Sequence, residues 1–111
     1  MSNPISGVVA PNLTPFNSDL SVAEDLYVDH AKWLLTQGLC AITPFGTTGE
    51  ALSLGIDERV TLLEALVDGR VPASKLLLGT GLTCLPDTVR LCQHAMELGC
   101  SGVMVLSTVL L

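Results

Sequence analysis

Short apolar runs alternate with longer segments of helical periodicity along this chain, and that alternation limits what it can fold into. Ile5–Ala10, Leu39–Pro44, Lys75–Gly79 and Val103–Leu106 read as strands. Between the first two, Ser21-Val22-Ala23-Glu24 has a capping-box pattern, in which the Ser oxygen and the Glu carboxylate satisfy free N–H groups at a helix start. The helix that follows places Leu26, Ala31, Leu34 and Leu35 on one side and stops near Gly38, a good residue just past a helix end. A second helix spans Ile56–Asp68, with Val60, Leu63, Leu66 and Val67 at helical spacing, Gly55 as its N-cap and Glu58 three residues on. Pro86 suits the first turn of a third helix that runs to Leu98 and ends at Gly99. The order is βαβαβαβ with a recurrence of roughly 32 residues, the length of a βα unit. Crossovers of one hand make such a sheet parallel. Periodicity alone leaves an open doubly wound sheet and a closed barrel equally available.

The connection after the second strand carries the most distinctive local sequence, Pro44-Phe45-Gly46-Thr47-Thr48-Gly49-Glu50. Two glycines bracket two hydroxyls, so the backbone can turn tightly and present N–H groups and Thr side chains at one point. Oriented N–H groups of this kind form a donor site for an anion such as a carboxylate or phosphate. A plain strand-to-helix turn would account for the same residues. An unrelated phosphate-binding domain fits less well, because no lysine stands beside the loop and the G-x-x-x-x-G-K-[ST] pattern is absent.

Composition narrows the partners. A net charge of −6, with five Lys plus Arg against eleven Asp plus Glu, argues against nucleic acid or an anionic membrane. The chain is 49% hydrophobic and only 14% charged, more apolar than a lone globule of 111 residues needs, so it reads as part of a larger core. No secretory signal is visible, and the longest apolar stretch, Gly102 to Leu111, is far short of the roughly 20 residues that span a bilayer. A cytoplasmic protein is expected. Cys40, Cys84, Cys92 and Cys100 show no C-x-x-C spacing, which speaks against zinc and for buried free thiols. His30 and His94 fall within helical patterns as ordinary helix residues.

The loop and its frame together resemble the dihydrodipicolinate synthase / N-acetylneuraminate lyase family. The matching features are Gly46-Thr47-Thr48-Gly49-Glu50, the opening Gly7-Val8-Val9-Ala10-Pro11-Asn12-Leu13-Thr14-Pro15-Phe16, Ala51-Leu52-Ser53-Leu54 followed by Glu58-Arg59, and Gly79-Thr80-Gly81, in the family's order over about the first 106 residues. The resemblance implies an α/β fold with parallel strands, namely the first three βα units and fourth strand of a TIM (βα)8 barrel. Such barrels need about 250 residues, so residues 1–111 make a partial, truncated barrel domain.

The resemblance also implies a class I aldolase or lyase that condenses or cleaves a pyruvate-like 2-oxo acid through a lysine Schiff base, with no added cofactor and no metal. It puts Thr48 and the neighbouring N–H groups on the substrate carboxylate, Thr47 in a catalytic hydroxyl relay, and Gly46 and Gly49 where the backbone approaches the substrate. Glu50 is expected to brace the loop by accepting N–H bonds. The family's lysine lies on a sixth strand; Lys32 and Lys75 do not match its position, and Tyr27 on the first helix reads as packing. The alternative for this chain is therefore an inactive fragment lacking the lysine and relay tyrosines. The intact enzyme is expected to be a homo-oligomer, a tetramer.

The last five residues, Ser107-Thr108-Val109-Leu110-Leu111, depart from the family, whose members continue Pro-Pro-Phe-Tyr-Tyr. One codon choice for these five residues, TCC ACC GTT CTA CTA, read one nucleotide later and completed by a pyrimidine, spells that family sequence. Residues 107–111 are thus expected to be frameshifted by one inserted base near Leu106. Four strands with both sheet edges open and an apolar tail predict a poorly soluble or partly folded product.

Overall fold

The computed structural model describes residues 6–46, 48–80 and 84–105, Leu52 through its backbone only. Its elements run β1 (Val9–Pro11), α1 (Glu24–Leu35), β2 (Ala41–Thr43), α2 (Ile56–Asp68), β3 (Leu77–Gly79), α3 (Leu85–Glu97) and β4 (Gly102–Met104). Two one-turn 3-10 helices, Ala51–Ser53 and Ala73–Lys75, precede α2 and β3.

Every strand pairing is parallel, as the crossover order requires. β1 lies on β2 with Ala10 opposite Ile42, and β3 lies on β4 with Leu78 opposite Val103. These are two two-stranded sheets, connected by a single parallel bridge from Ile42 to Leu76 and by the Gly79 N–H donating to Pro44 C=O at 2.9 Å. The strand order across the array is thus β1-β2-β3-β4, and no closed barrel forms among the described residues.

The helices pack on one face of this array. Ile42, Leu76 and Leu78 meet Tyr27 and Ala31 of α1, Leu62, Leu63 and Leu66 of α2, and Ala95 of α3 in one buried cluster. Successive strand residues point to opposite faces, so Ala41 and Thr43, either side of Ile42, face away from the helices. At about 25 cal/mol per Å² of apolar surface, this helix-side layer is the dominant stabilising contribution.

Several local expectations are corrected. The capping box at Ser21 does not form: Ala23 is the N-cap of α1, without a side-chain cap bond. Ser21 instead donates its hydroxyl and its N–H to the Asp19 carboxylate at 2.5 and 3.0 Å, inside a turn closed by Asn17. A bond two residues away competes with the helix start, and the Phe16–Val22 bridge fixes the turn. These Ser21 bonds, side chain first, hold the Asp19 carboxyl below its ordinary range. Ala31, Leu34 and Leu35 of α1 face the core as expected, but Leu26 is exposed and Tyr27 takes its place in the buried stripe.

The strands are shorter than their apolar runs and displaced by a few residues. β1 ends at Pro11, and Lys75 sits in a 3-10 turn instead of opening β3; Ile5 and Leu106 lie outside the described residues. Helix α2 matches its expected span, and the Glu58 carboxylate accepts the Gly55 N–H at 3.1 Å. Cys100 is buried and Cys40 and Cys92 half-buried, but Cys84 is exposed at the start of α3, against the expectation of a buried thiol. The tail assignment at 107–111 lies outside the described residues. None of the described helices is long and apolar enough to cross a membrane.

Candidate functional site

Buried polar side chains collect at the C-terminal ends of the strands. Asn12 and Thr14 follow β1, Thr43 ends β2, and Thr80 follows β3; all four are buried. The segment after β2, Pro44 to Glu50, stands at the same end. Burying hydroxyls and an amide there costs stability unless partners are supplied. Some are: Thr14 Oγ1 donates to Gly49 C=O at 2.6 Å, and Cys92 Sγ lies 3.3 Å from Thr80 Oγ1. Others are not. Neither side-chain polar atom of Asn12 nor the Tyr27 hydroxyl has a hydrogen-bond partner among the described residues.

The conformation of the loop differs from the one its glycines suggest. The left-handed backbone falls on Phe45 (φ 64°) and Glu50 (φ 56°), not on Gly46 or Gly49. A non-glycine residue pays about 1–2 kcal/mol for this region, so the surroundings must hold both in place. Phe45 is buried and stacked on Tyr27, with ring centroids 6.4 Å apart and planes within 6°. Gly79 lets β3 approach this point: a Cβ there would lie within contact distance of the Phe45 carbonyl oxygen and 2.9 Å from its carbon. Gly49 is required for a second close approach, since a Cβ would stand 2.9 Å from Asn12 C=O. That approach is to the protein's own β1 end rather than to a ligand. Gly46 meets nothing closer than Thr43 C=O at 4.0 Å.

Three bonds fix the far side of the loop. Thr14 holds Gly49 C=O, the Ala51 N–H donates to Gly46 C=O at 3.2 Å, and Arg59 Nη2 on α2 donates to Ala51 C=O at 2.6 Å. Arg59 is fully buried, and burial lowers its guanidinium from the ordinary value. Arg59 was legible only as part of the Glu58-Arg59 pair, because an arginine at helical spacing inside an apolar stripe reads as solvated until its acceptor is located. The Glu50 carboxylate is exposed and accepts no bond from a described residue, and its backbone C=O accepts the Ser53 N–H at 2.9 Å.

The near side of the loop stays uncommitted. The backbone N–H groups of Thr48, Gly49 and Glu50 donate to no acceptor among the described residues, and the exposed Thr48 hydroxyl makes no bond to them. Thr47 lies outside the described residues. Of the site residues expected from sequence, Gly46, Thr48 and Gly49 are therefore brought together at the strand C-termini. The two lysines are elsewhere: Lys32 is exposed on α1, and Lys75 is exposed before β3, at the opposite end from the loop. Tyr27 packs in the core as expected. Burial pushes its phenol well above the ordinary value. His30 accepts the Leu13 N–H at 3.2 Å on Nε2, and His94 lies 3.3 Å from Glu64 between α3 and α2. Beside the loop, Leu13, Leu26, His30, Trp33 and Glu50 line an apolar groove of about 620 Å³.

Successive parallel βα units with buried polar groups and a donor loop gathered at the strand C-termini match the N-terminal part of a TIM barrel. Known proteins specify which one. The model of the dihydrodipicolinate synthetase family matches residues 4–108, and the chain belongs to that family. A 4-hydroxy-tetrahydrodipicolinate synthase of Bartonella bacilliformis is 31% identical over 103 residues, 93% of this chain and 35% of that protein. Among solved structures, dihydrodipicolinate synthase from Agrobacterium tumefaciens superposes with a TM-score of 0.83 at 28% identity, covering 87% of this chain and 34% of that one. N-acetylneuraminate lyase from Proteus mirabilis gives 0.81 at 32% identity, covering 93% and 35%. YagE, a prophage protein from E. coli K12 solved with pyruvate, gives 0.78 at 30% identity, covering 89% and 33%. The chain thus spans about a third of the length of these relatives.

Proposed function

We propose that residues 46–50 form the carboxylate-binding loop of a class I, Schiff-base aldolase or lyase acting on a pyruvate-like 2-oxo acid. The observation that carries this reading is the orientation of the loop. Its carbonyls at Gly46, Gly49 and Ala51 are bonded into the protein, while the N–H groups of Thr48, Gly49 and Glu50 and the Thr48 hydroxyl are unspent among the described residues. Fixed N–H dipoles at the strand C-termini stabilise an anion without reorganising, which is what a substrate carboxylate needs. The pyruvate bound in YagE supports the substrate class.

In this reading a lysine amine adds to the C2 carbonyl of the 2-oxo acid and water leaves. The resulting protonated imine takes up the electron pair released when a C3–H bond breaks before condensation, or a C3–C4 bond during cleavage. Thr47 belongs to the hydroxyl relay that moves protons to and from these intermediates, and Thr48 holds the carboxylate. The aldehyde partner is set by other parts of the barrel. A cytoplasmic location and a homotetramer of the intact enzyme belong to the same reading.

A second reading concerns the 111-residue chain alone. Lys32 lies on α1 and Lys75 at the opposite strand end, away from a substrate held at Gly46–Glu50, so in this reading the chain by itself binds but forms no imine. Titration of the isotope-labelled chain with pyruvate tests the first reading: saturable amide shifts confined to residues 46–51 are expected, and their absence refutes it. Borohydride treatment with pyruvate tests the second, since a mass adduct on Lys32 or Lys75 would overturn it.

A further inference from the structure

We propose that Thr14 and Arg59 are positioning residues, a two-point clamp in which Thr14 turns the Gly49 carbonyl inward and so aims the Glu50 N–H at the ligand, while Arg59 pins the Ala51 carbonyl and holds the turn behind it. The proposal rests on the carboxylate-binding reading of the loop and assigns its preorganisation to two side chains from different βα units. Thr14 comes from the segment after β1 and reaches across 35 residues of sequence; Arg59 comes from the first turn and a half of α2.

A peptide unit is planar and trans, so its N–H points opposite to its C=O. When Thr14 Oγ1 donates to Gly49 C=O at 2.6 Å, the Glu50 N–H of the same peptide must face the other way, toward the open side. The peptide on the far side of Glu50 is held by the Ala51 N–H donating to Gly46 C=O at 3.2 Å, and Arg59 Nη2, at 2.6 Å from Ala51 C=O, anchors the next peptide and with it the turn that follows. Glu50 between them is left-handed at φ 56°, a conformation that a non-glycine residue keeps only when its neighbours impose it. Its exposed carboxylate accepts no bond from a described residue, and the bonds on either side, Thr14 to Gly49 C=O and Arg59 to Ala51 C=O, supply the constraint.

Both donors are placed at a cost that only a specific bond repays. Thr14 is 6% exposed and Arg59 0%. A guanidinium removed from water needs charge-assisted hydrogen bonds, and its planar fork holds direction in a way an ammonium does not. The space is tight as well: a Cβ at Gly49 would lie 3.4 Å from Thr14 Oγ1 and 2.9 Å from Asn12 C=O, so the loop backbone packs directly against the donor and the end of β1.

The test uses the labelled chain, with pyruvate as probe and the carbonyl carbon shifts of Gly49 and Ala51 as readout of the clamp itself. Thr14→Val is expected to move the Gly49 carbonyl shift and to weaken pyruvate binding at least fivefold, while Thr14→Ser restores both. Arg59→Met is expected to move the Ala51 carbonyl shift and weaken binding similarly, and Arg59→Lys to rescue only part. If Thr14→Val does not fold, Thr14→Ala and the Arg59 pair carry the test. Unchanged carbonyl shifts would refute the clamp. Shifted carbonyls with unchanged pyruvate affinity would refute its positioning role. A wild-type chain whose Thr48–Glu50 amides ignore pyruvate overturns the carboxylate reading, and the positioning role with it.

Discussion

Replacing Gly79 by alanine tests the central packing claim, that β3 closes directly against the backbone of the loop. An ideal Cβ on Gly79 falls within contact distance of the Phe45 carbonyl oxygen, 2.9 Å from its carbonyl carbon and 3.4 Å from the Gly46 nitrogen. All three atoms are backbone and cannot rotate aside. Either β3 withdraws, which lengthens the 2.9 Å bond from the Gly79 N–H to Pro44 C=O, or the Phe45 peptide turns, which breaks its stack on Tyr27. Overpacking of this kind costs about 1–3 kcal/mol and a lost hydrogen bond about 0.5–1.5, so a total of roughly 2–4 kcal/mol is expected. Gly46→Ala is the control, because its nearest non-neighbouring atom is 4.0 Å away, and it should cost under about 1 kcal/mol. Urea unfolding followed by far-ultraviolet circular dichroism measures both. A Gly79→Ala loss below about 0.5 kcal/mol, with the Phe45 and Gly46 amide shifts unmoved, would refute the close approach.

Glu50→Gly should raise stability by up to about 1 kcal/mol, because it relieves a left-handed residue whose carboxylate accepts no bond from a described residue; a loss would show that the carboxylate does brace the loop. Burial pushes the Cys100 thiol to about 11. A folded value above the unfolded one means the contribution is fully present below pH 9 and is lost as pH rises through 11, at most about 3 kcal/mol in all. Tyr27 adds to the same alkaline fall, and Cys100→Ala should flatten it in a pH series of urea midpoints; an unchanged slope would count against a buried thiol. Leu13, Leu26 and Trp33 are each more than half exposed around one groove, so Leu26→Lys should reduce concentration-dependent association in sedimentation velocity, and equal association by the variant would exclude this face. Sequencing the gene across codons 104–111 should give bases that read Pro-Pro-Phe-Tyr-Tyr one nucleotide on; incompatible bases remove the frameshift reading.

The sequence alone determined the order of elements, because that order follows from local chemistry. Helix α2 was legible to its ends from Gly55, Glu58 and the Val60–Val67 spacing, and the parallel pairing followed from the alternation of strands with helices. The loop at 46–50 was legible by composition, as was its place after β2. What failed was decided between two equally local options. Ser21 could cap α1 or bond Asp19, and the Phe16–Val22 bridge chose the second; Leu26 and Tyr27 both fit the apolar stripe of α1, and stacking on Phe45 chose Tyr27.

Only the tertiary structure decided how the loop is held. Its left-handed residues are Phe45 and Glu50, and its glycine at 49 is needed against Asn12, a contact 37 residues away in sequence. The donors bonded to its carbonyl side, Thr14 and Arg59, reach it from two other parts of the chain. No local propensity encodes such a bond. The partner carbonyls come within reach only when β1, β2 and α2 have packed around the shared apolar layer, and the direction of each peptide dipole is fixed at that point and not before.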